Sequence, residues 1–335
     1  MLMSSVCARR APRAVDARAF TAELFHDVTS EDAERARYVA TLSVCLAMLS
    51  VGCACGAIAG ALVYIESGTV LGTLSTTMKG TVVAALPLGA LFGCAASCVQ
   101  QTRSTRGGRA HHRLERDVNT SNKIMSLLKD AKTRHALGVA SLMNFFQQAC
   151  GINVVIYYAP KILSDLGFDR SHAIALTACV SVIQIFAGTW LSRSVDAVGR
   201  RPMALGGTAT MCFALALLTL SVTPSVYSHF MSAAAAPWLA VGAILLFRIA
   251  FSVSLGPLPY IVTSEVFPQK VRNVGVSVAT SVQWIMNALV TFSFLRIREL
   301  WNAQGVWMLY FAVSVLSLAV VHKVLPETTG ASLDG

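Results

Sequence analysis

Apolar runs long enough to cross a bilayer recur along this chain. Nearly charge-free stretches lie at 38–65, 80–99, 135–160, 173–192, 202–226, 233–264, 274–295 and 305–321. A helix needs about 20 residues to cross the hydrocarbon core, so the pattern predicts eight membrane-spanning helices. Polar sequence separates them. The first 37 residues hold six arginines and no apolar core run, so no cleavable signal peptide is expected. Residues 100–134 are basic and polar around Gly107-Gly108, which predicts a surface linker with a short helix near 124–128.

Composition agrees with the pattern. The chain is 55% hydrophobic and 13% charged, with mean hydropathy +0.60, values of a polytopic membrane protein. A net charge of +10 invites a nucleic-acid reading, but its placement argues against one. With the N-terminus in the cytoplasm, 21 of the 27 Lys and Arg fall on the cytoplasmic side. They are 6 in the N-terminal tail, 9 in 100–134, 3 in 193–201, 2 in 269–273 and 1 in the C-terminal tail. Only Lys79, Lys161, Arg170, Arg296 and Arg298 fall outside, and Arg248 lies within a span. This is the positive-inside bias, and it predicts both termini in the cytoplasm. No nucleic-acid partner is expected.

Residues 147–158, Gln-Gln-Ala-Cys-Gly-Ile-Asn-Val-Val-Ile-Tyr-Tyr, lie inside the uncharged run 135–160. Lipid cannot satisfy the three amides Gln147, Gln148 and Asn153, so each needs a partner within the protein or on a ligand. An amide offers donor and acceptor together, as a sugar hydroxyl does, and Tyr157 and Tyr158 add flat apolar faces with polar rims. Taken alone, the same residues also suit helix–helix hydrogen bonding.

Further motifs favour the ligand reading. The 147–158 run resembles the seventh transmembrane helix of the sugar porters, the hexose and polyol branch of the major facilitator superfamily. Asp196-Ala197-Val198-Gly199-Arg200-Arg201 is similar to that family's loop between helices eight and nine. Gly256-Pro257-Leu258-Pro259-Tyr260, followed by Ser264-Glu265-Val266-Phe267-Pro268 and Arg272, resembles its tenth helix and the turn beyond. Pro326-Glu327-Thr328-Thr329-Gly330 resembles the motif closing the twelfth. Four weak motifs in the family's order, spread over 147–330, make a strong one. Residues 56–65 and 79–93 are similar to the first two helices, and nothing resembles helices three to six.

The resemblance implies an all-α, facilitator-type bundle, truncated to about eight transmembrane helices. It divides the chain into a cytoplasmic tail (1–37), a remnant of the N-terminal half (38–99), a basic cytoplasmic linker (100–134), a complete C-terminal six-helix half (135–325) and a cytoplasmic tail (326–335). It also implies substrate contacts at Gln147, Gln148, Asn153, Tyr157, Tyr158, Trp284 and Asn287. Tyr260 stands where a tryptophan is usual, while Gln283 and Gln184 each replace an asparagine. Asp196, Gly199, Arg200, Arg201, Gly256, Pro257, Pro259, Glu265, Arg272 and Glu327 are the implied conformational and gating positions.

Proton-coupled relatives carry an aspartate in helix one, where this chain has Ala54. All 17 Asp and Glu lie outside the spans or at their ends, Glu66, Asp196 and Glu265 coming closest. Facilitative movement of a hexose or polyol is therefore the expectation. No paired carboxylates, nucleophile elbow or phosphate loop point to an enzyme. Of nine cysteines all but Cys7 lie within spans as small packing residues, and His111-His112 is read as solvated, so no metal or cofactor is expected. The sequon Asn119-Thr120-Ser121 falls on the cytoplasmic side. Arg248, within the tenth span, has no evident acidic partner.

Three readings stay open. The first is a truncated facilitator in a membrane, the plasma membrane foremost. The second is a non-transporting protein that binds sugar, self-associates or modulates a full-length transporter. The third is an inactive, incomplete gene product.

Overall fold

The computed structural model describes residues 75–104, 129–268 and 271–325. The first predicted span, 38–65, with Ala54 and Glu66, lies outside them, as do the short helix expected near 124–128 and Glu327. Among the described residues nine helical elements follow in order: α1 Thr76–Ser104, α2 Ala131–Ala149, α3 Ile152–Asp165, α4 Arg170–Val198, α5 Arg200–Ser221, α6 Pro224–Tyr227, α7 Ala236–Ser252, α8 Leu258–Val266 and α9 Arg272–Val324. No strand occurs among the described residues. Ala131–Asp165, Arg170–Gly188, Arg200–Ser221 and Arg272–Val324 are long and apolar enough to cross a membrane, and Thr76–Phe92 and Ala236–Ser252 are shorter apolar helices. The molecule is thus an all-α, multi-pass bundle. Residues 105–130, between α1 and α2, are too few for four further spans of about 20 residues each.

The 53 residues of α9 are two helices. Asn302 takes φ 59° and ψ 175°, a positive-φ conformation that belongs to neither helical region and breaks the helix. In one continuous helix Phe294 and Trp307 would stand about 20 Å apart along the axis. Their ring centroids lie 6.3 Å apart, so the chain folds back at Asn302 into arms 272–301 and 303–324. These are the predicted seventh and eighth spans.

Two other spans are broken inside the bundle. Gly151, at φ 85°, separates α2 from α3. A Cβ there would lie 2.9 Å from the Tyr310 ring, so this position needs glycine for conformation and for space. Residues 253–257 separate α7 from α8, and Pro259 then opens α8, where the missing N–H costs nothing. At α2, Asp130 caps the helix by accepting from Thr133 N at 2.9 Å and from Thr133 Oγ1 at 2.6 Å.

Packing relies on small residues. Lipid tails are as apolar as leucine, so helices associate in membranes through close contact rather than through release of water. On α5, Ala204, Gly207, Met211 and Ala214 are buried, and on α7 Ala240, Ala243, Phe247 and Ala250 are buried. A Cβ at Gly207 would fall 2.2 Å from that of Ser254, so α5 meets the end of α7 almost backbone to side chain. On the other side, α1 rests on α9. Gly80 leaves room for the Phe292 carbonyl, and Thr76 Oγ1 donates to Glu299.

Candidate functional site

The two internal breaks are joined by one side chain. Gln147, three residues from the end of α2, donates from Nε2 to the Gly256 carbonyl at 2.5 Å. Gly256 stands in the turn between α7 and α8, where a Cβ would lie 2.9 Å from the Phe251 carbonyl. Around this bond the other amides assemble. Gln148 Nε2 donates to Gln147 Oε1 at 3.3 Å, and Asn153 Nδ2, on the far side of Gly151, donates to Gln148 Oε1. From α9, Gln283 Nε2 donates to the Tyr260 hydroxyl of α8, which Gln147 also approaches. Asn287 is buried one turn beyond Gln283, and half-buried Trp284 is the residue between them nearest Gln283. Gln147, Gln148, Asn153, Tyr260 and Gln283 are therefore linked to one another, with Asn287 one turn from Gln283.

Tyr157 and Tyr158 are both buried in α3. Tyr158 packs against Phe294 at 4.6 Å between ring centroids, and its hydroxyl donates to the Thr291 carbonyl at 3.3 Å. That bond ties the tyrosine side of the site to the arm carrying Gln283 and Asn287.

Gln184 goes elsewhere. Its Oε1 accepts from both Nε, at 2.7 Å, and Nη2 of Arg248, joining α4 to α7. This resolves the odd arginine of the tenth span. It is 5% exposed, and its partner is a neutral amide rather than a carboxylate. Sequence reasoning missed Asn144, buried on α2 with Nδ2 on the Ala140 carbonyl at 2.8 Å and on Thr263 Oγ1 of α8 at 3.0 Å. Its spacing of three and four from Gln147 and Gln148 puts all three on one helix face, a signal the sequence does carry.

The hydrogen-bond inventory is incomplete in one sense. Asn144 Oδ1, Gln283 Oε1 and Asn287 Oδ1 are buried acceptors with no donor among the described residues. An unmet buried acceptor costs on the order of 1–3 kcal/mol, and two of the three, on Gln283 and Asn287, stand one turn apart on α9. The described carboxylates, by contrast, sit at helix ends: Asp130, Asp165, Asp169, Glu265 and Glu299.

Several of the positions expected to be conformational lie at the start of α5. Gly199, at φ 96°, turns the chain from α4 into α5. Arg200 Nη2 then pairs with Glu265 of α8 at 3.0 Å, and Arg201 Nη2 donates to the His322 carbonyl of α9 at 2.8 Å. Arg272 Nε donates to the Phe267 carbonyl at 3.2 Å, closing the turn after α8. The side chain of Asp196 lies outside the described part. Pro257 and Pro259 flank the start of α8 beside Gly256.

Broken helices converging on an amide cluster, with the described carboxylates at helix ends, define a polytopic membrane bundle. Residues 100–335 match the family model described as "Sugar (and other) transporter". The chain belongs to that family, within the sugar porters of the major facilitator superfamily. It is 34% identical over 201 residues to D-xylose-proton symporter-like 3, chloroplastic, of Arabidopsis thaliana, a match covering 59% of this chain and 34% of that protein. Over 201 residues it is 31% identical to the glucose facilitated diffusion protein of Zymomonas mobilis, covering 56% of this chain and 39% of the relative. Among solved structures it is similar to the xylose transporter XylE from E. coli in its inward open conformation. There the identity is 25% and the TM-score 0.50, over 67% of this chain and 46% of that one. The chain thus spans less than half the length of each.

Proposed function

We propose that this protein binds a hexose or polyol at the amide cluster and moves it across a membrane by facilitated diffusion. The observation that carries the reading is the set of three buried, donorless amide oxygens at Asn144, Gln283 and Asn287, beside Gln147, Gln148 and Asn153. Sugar hydroxyls are the donors such a cluster lacks, and neutral amides bind them without charge. Gln147, Gln148 and Asn153 contact the ring hydroxyls in this reading, Tyr158 and Trp284 border it, and the Arg200–Glu265 pair holds one conformation. Reconstituted protein should bind D-glucose or D-xylose saturably. Gln148→Ala should weaken binding about tenfold, the loss of two neutral hydrogen bonds at roughly 0.5–1.5 kcal/mol each. Unchanged affinity in Gln148→Ala and Asn153→Ala would reduce these amides to helix packing.

Facilitation rather than symport is supported by the carboxylates at helix ends and by Ala54 in the sequence, although one relative is named a proton symporter-like protein and another a facilitated diffusion protein. Uptake should therefore persist in the presence of a protonophore, and sugar-evoked proton currents would refute it. The charge bias supports cytoplasmic termini, and the plasma membrane is the proposed location. Alternating access in this fold rocks two helical halves about a midplane site. With 105–130 too short for four spans, a second copy or a full-length relative is the proposed source of the opposing wall.

A further inference from the structure

A cavity of about 240 Å³ opens about 30 Å along α5 from the Arg200–Glu265 pair, where α3, α5, α6 and both arms of α9 meet. Its walls include the rings of Phe294, Trp307 and Tyr227, together with Asp165, Arg298 and Ala303. It is separate from the amide cluster, since α3 alone puts about 20 Å between Asn153 and Asp165.

Three observations describe what it could hold. First, Phe294 and Trp307 are nearly fully buried in the protein, 1% and 2% exposed, so the cavity floor is aromatic and fixed. Second, Trp307 brings an indole N–H to the cavity wall, a donor of the kind that usually finds a partner. Third, Asp165 and Arg298 form an ion pair across α3 and α9 and are partly exposed, which sets a donor and an acceptor group at the opening. An acyl chain would fill the aromatic part but offer nothing to the indole N–H or to the charged groups at the opening. The volume is below the 300–1,000 Å³ usual for drug-sized ligands, so the occupant is small.

We propose that this cavity is a second monosaccharide site, holding one sugar ring against Trp307 with its hydroxyls on the indole N–H, Asp165 and Arg298. It goes beyond the amide-cluster reading and does not depend on it. An aromatic face accepts the C–H surface of a pyranose, while carboxylate and guanidinium suit its rim. The rings run inward without a gap: Trp307 contacts Phe294, and Phe294 contacts Tyr158 of the amide site. Under the proposed topology the cavity faces outside and stands before the inner site on the route of an entering sugar.

The test uses the full chain in lipid nanodiscs carrying Ala303→Cys, labelled with a membrane-impermeant maleimide against the parent as background. D-glucose should slow labelling at least about threefold, L-glucose should not, and the protection should persist when Gln148→Ala is added. Trp307→Phe, which keeps the ring and deletes the donor, should abolish the protection, and so should Arg298→Gln, a partly exposed change that spares the core if the tryptophan variant misfolds. Three results overturn the proposal: no protection by D-glucose, protection lost on adding Gln148→Ala alone, or equal protection by L-glucose or a lysophospholipid. Loss of amide-site binding in Gln148→Ala with protection intact supports two sites. Protection with no effect of Gln148→Ala on total binding would count against the amide site alone.

Discussion

At the scale of single residues, the structure separates amides of equal sequence rank. Gln148 sits within a network of amides, whereas Gln184 holds the guanidinium of Arg248. Their alanine substitutions should differ in kind. Gln148→Ala should cost affinity and leave thermal stability near the parent. Gln184→Ala should do the reverse: it leaves a buried cation without its acceptor and lowers stability by at least about 1–3 kcal/mol. Thermal unfolding in detergent, measured beside sugar binding, checks the contrast, and a binding defect in Gln184→Ala without loss of stability would contradict it. The amide cluster was legible because uncharged spans make every polar residue conspicuous. The Gln184–Arg248 pair was not, since it joins residues 64 apart on different helices and nothing in local spacing encodes that meeting. Asn144 could have been read from its place on the Gln147 face.

Among elements, spans were legible and their interruptions less so. Hydropathy is averaged over about 20 residues and passes over a single glycine, so 135–160 reads as one helix although Gly151 divides it into α2 and α3. The reversal at Asn302 falls in the polar gap between two predicted spans, and there sequence and structure agree. Close contact between α5 and α7 depends on the absence of one side chain. Gly207→Leu must displace Ser254 and push the helices apart, at a cost of roughly 1–3 kcal/mol or more. Reduced yield of monodisperse protein and a lower unfolding temperature are the expected readouts. Gly206, its neighbour, has open space at the same position, and Gly206→Leu should be tolerated. Equal damage from both would show that helix propensity, not contact, governs.

For the molecule as a whole, the arrangement of charge and polarity leads to a claim about partners. Helix ends carry the carboxylates, and the amide cluster lies between α2, the α7–α8 turn and α9. The amides Gln147, Gln148, Gln283 and Asn287 are themselves buried, while Tyr260 at the edge of the cluster is 48% exposed, and a polar group there is costly against hydrocarbon. Crosslinking from Tyr260→Cys, at the exposed edge of the cluster, should therefore capture a second copy or a full-length relative in native membranes. A stable monomer that resists crosslinking would show that the chain covers its own site. Protease protection of tags at the two ends should place both in the cytoplasm, and a glycan on Asn119 would sink that topology.

Arg248 has a further consequence in terms of electrical work. An arginine is always protonated, and this one sits inside a membrane helix beside a neutral amide. A displacement of α7 along the membrane normal would carry that charge through part of the transmembrane field. A full crossing is worth about 2.3 kcal/mol per 100 mV, so a movement through a quarter of the field amounts to about 0.6 kcal/mol, or nearly threefold in an equilibrium constant. A carrier of neutral sugars built this way would show voltage-dependent turnover with no ion transported, and Arg248→Gln would flatten that dependence.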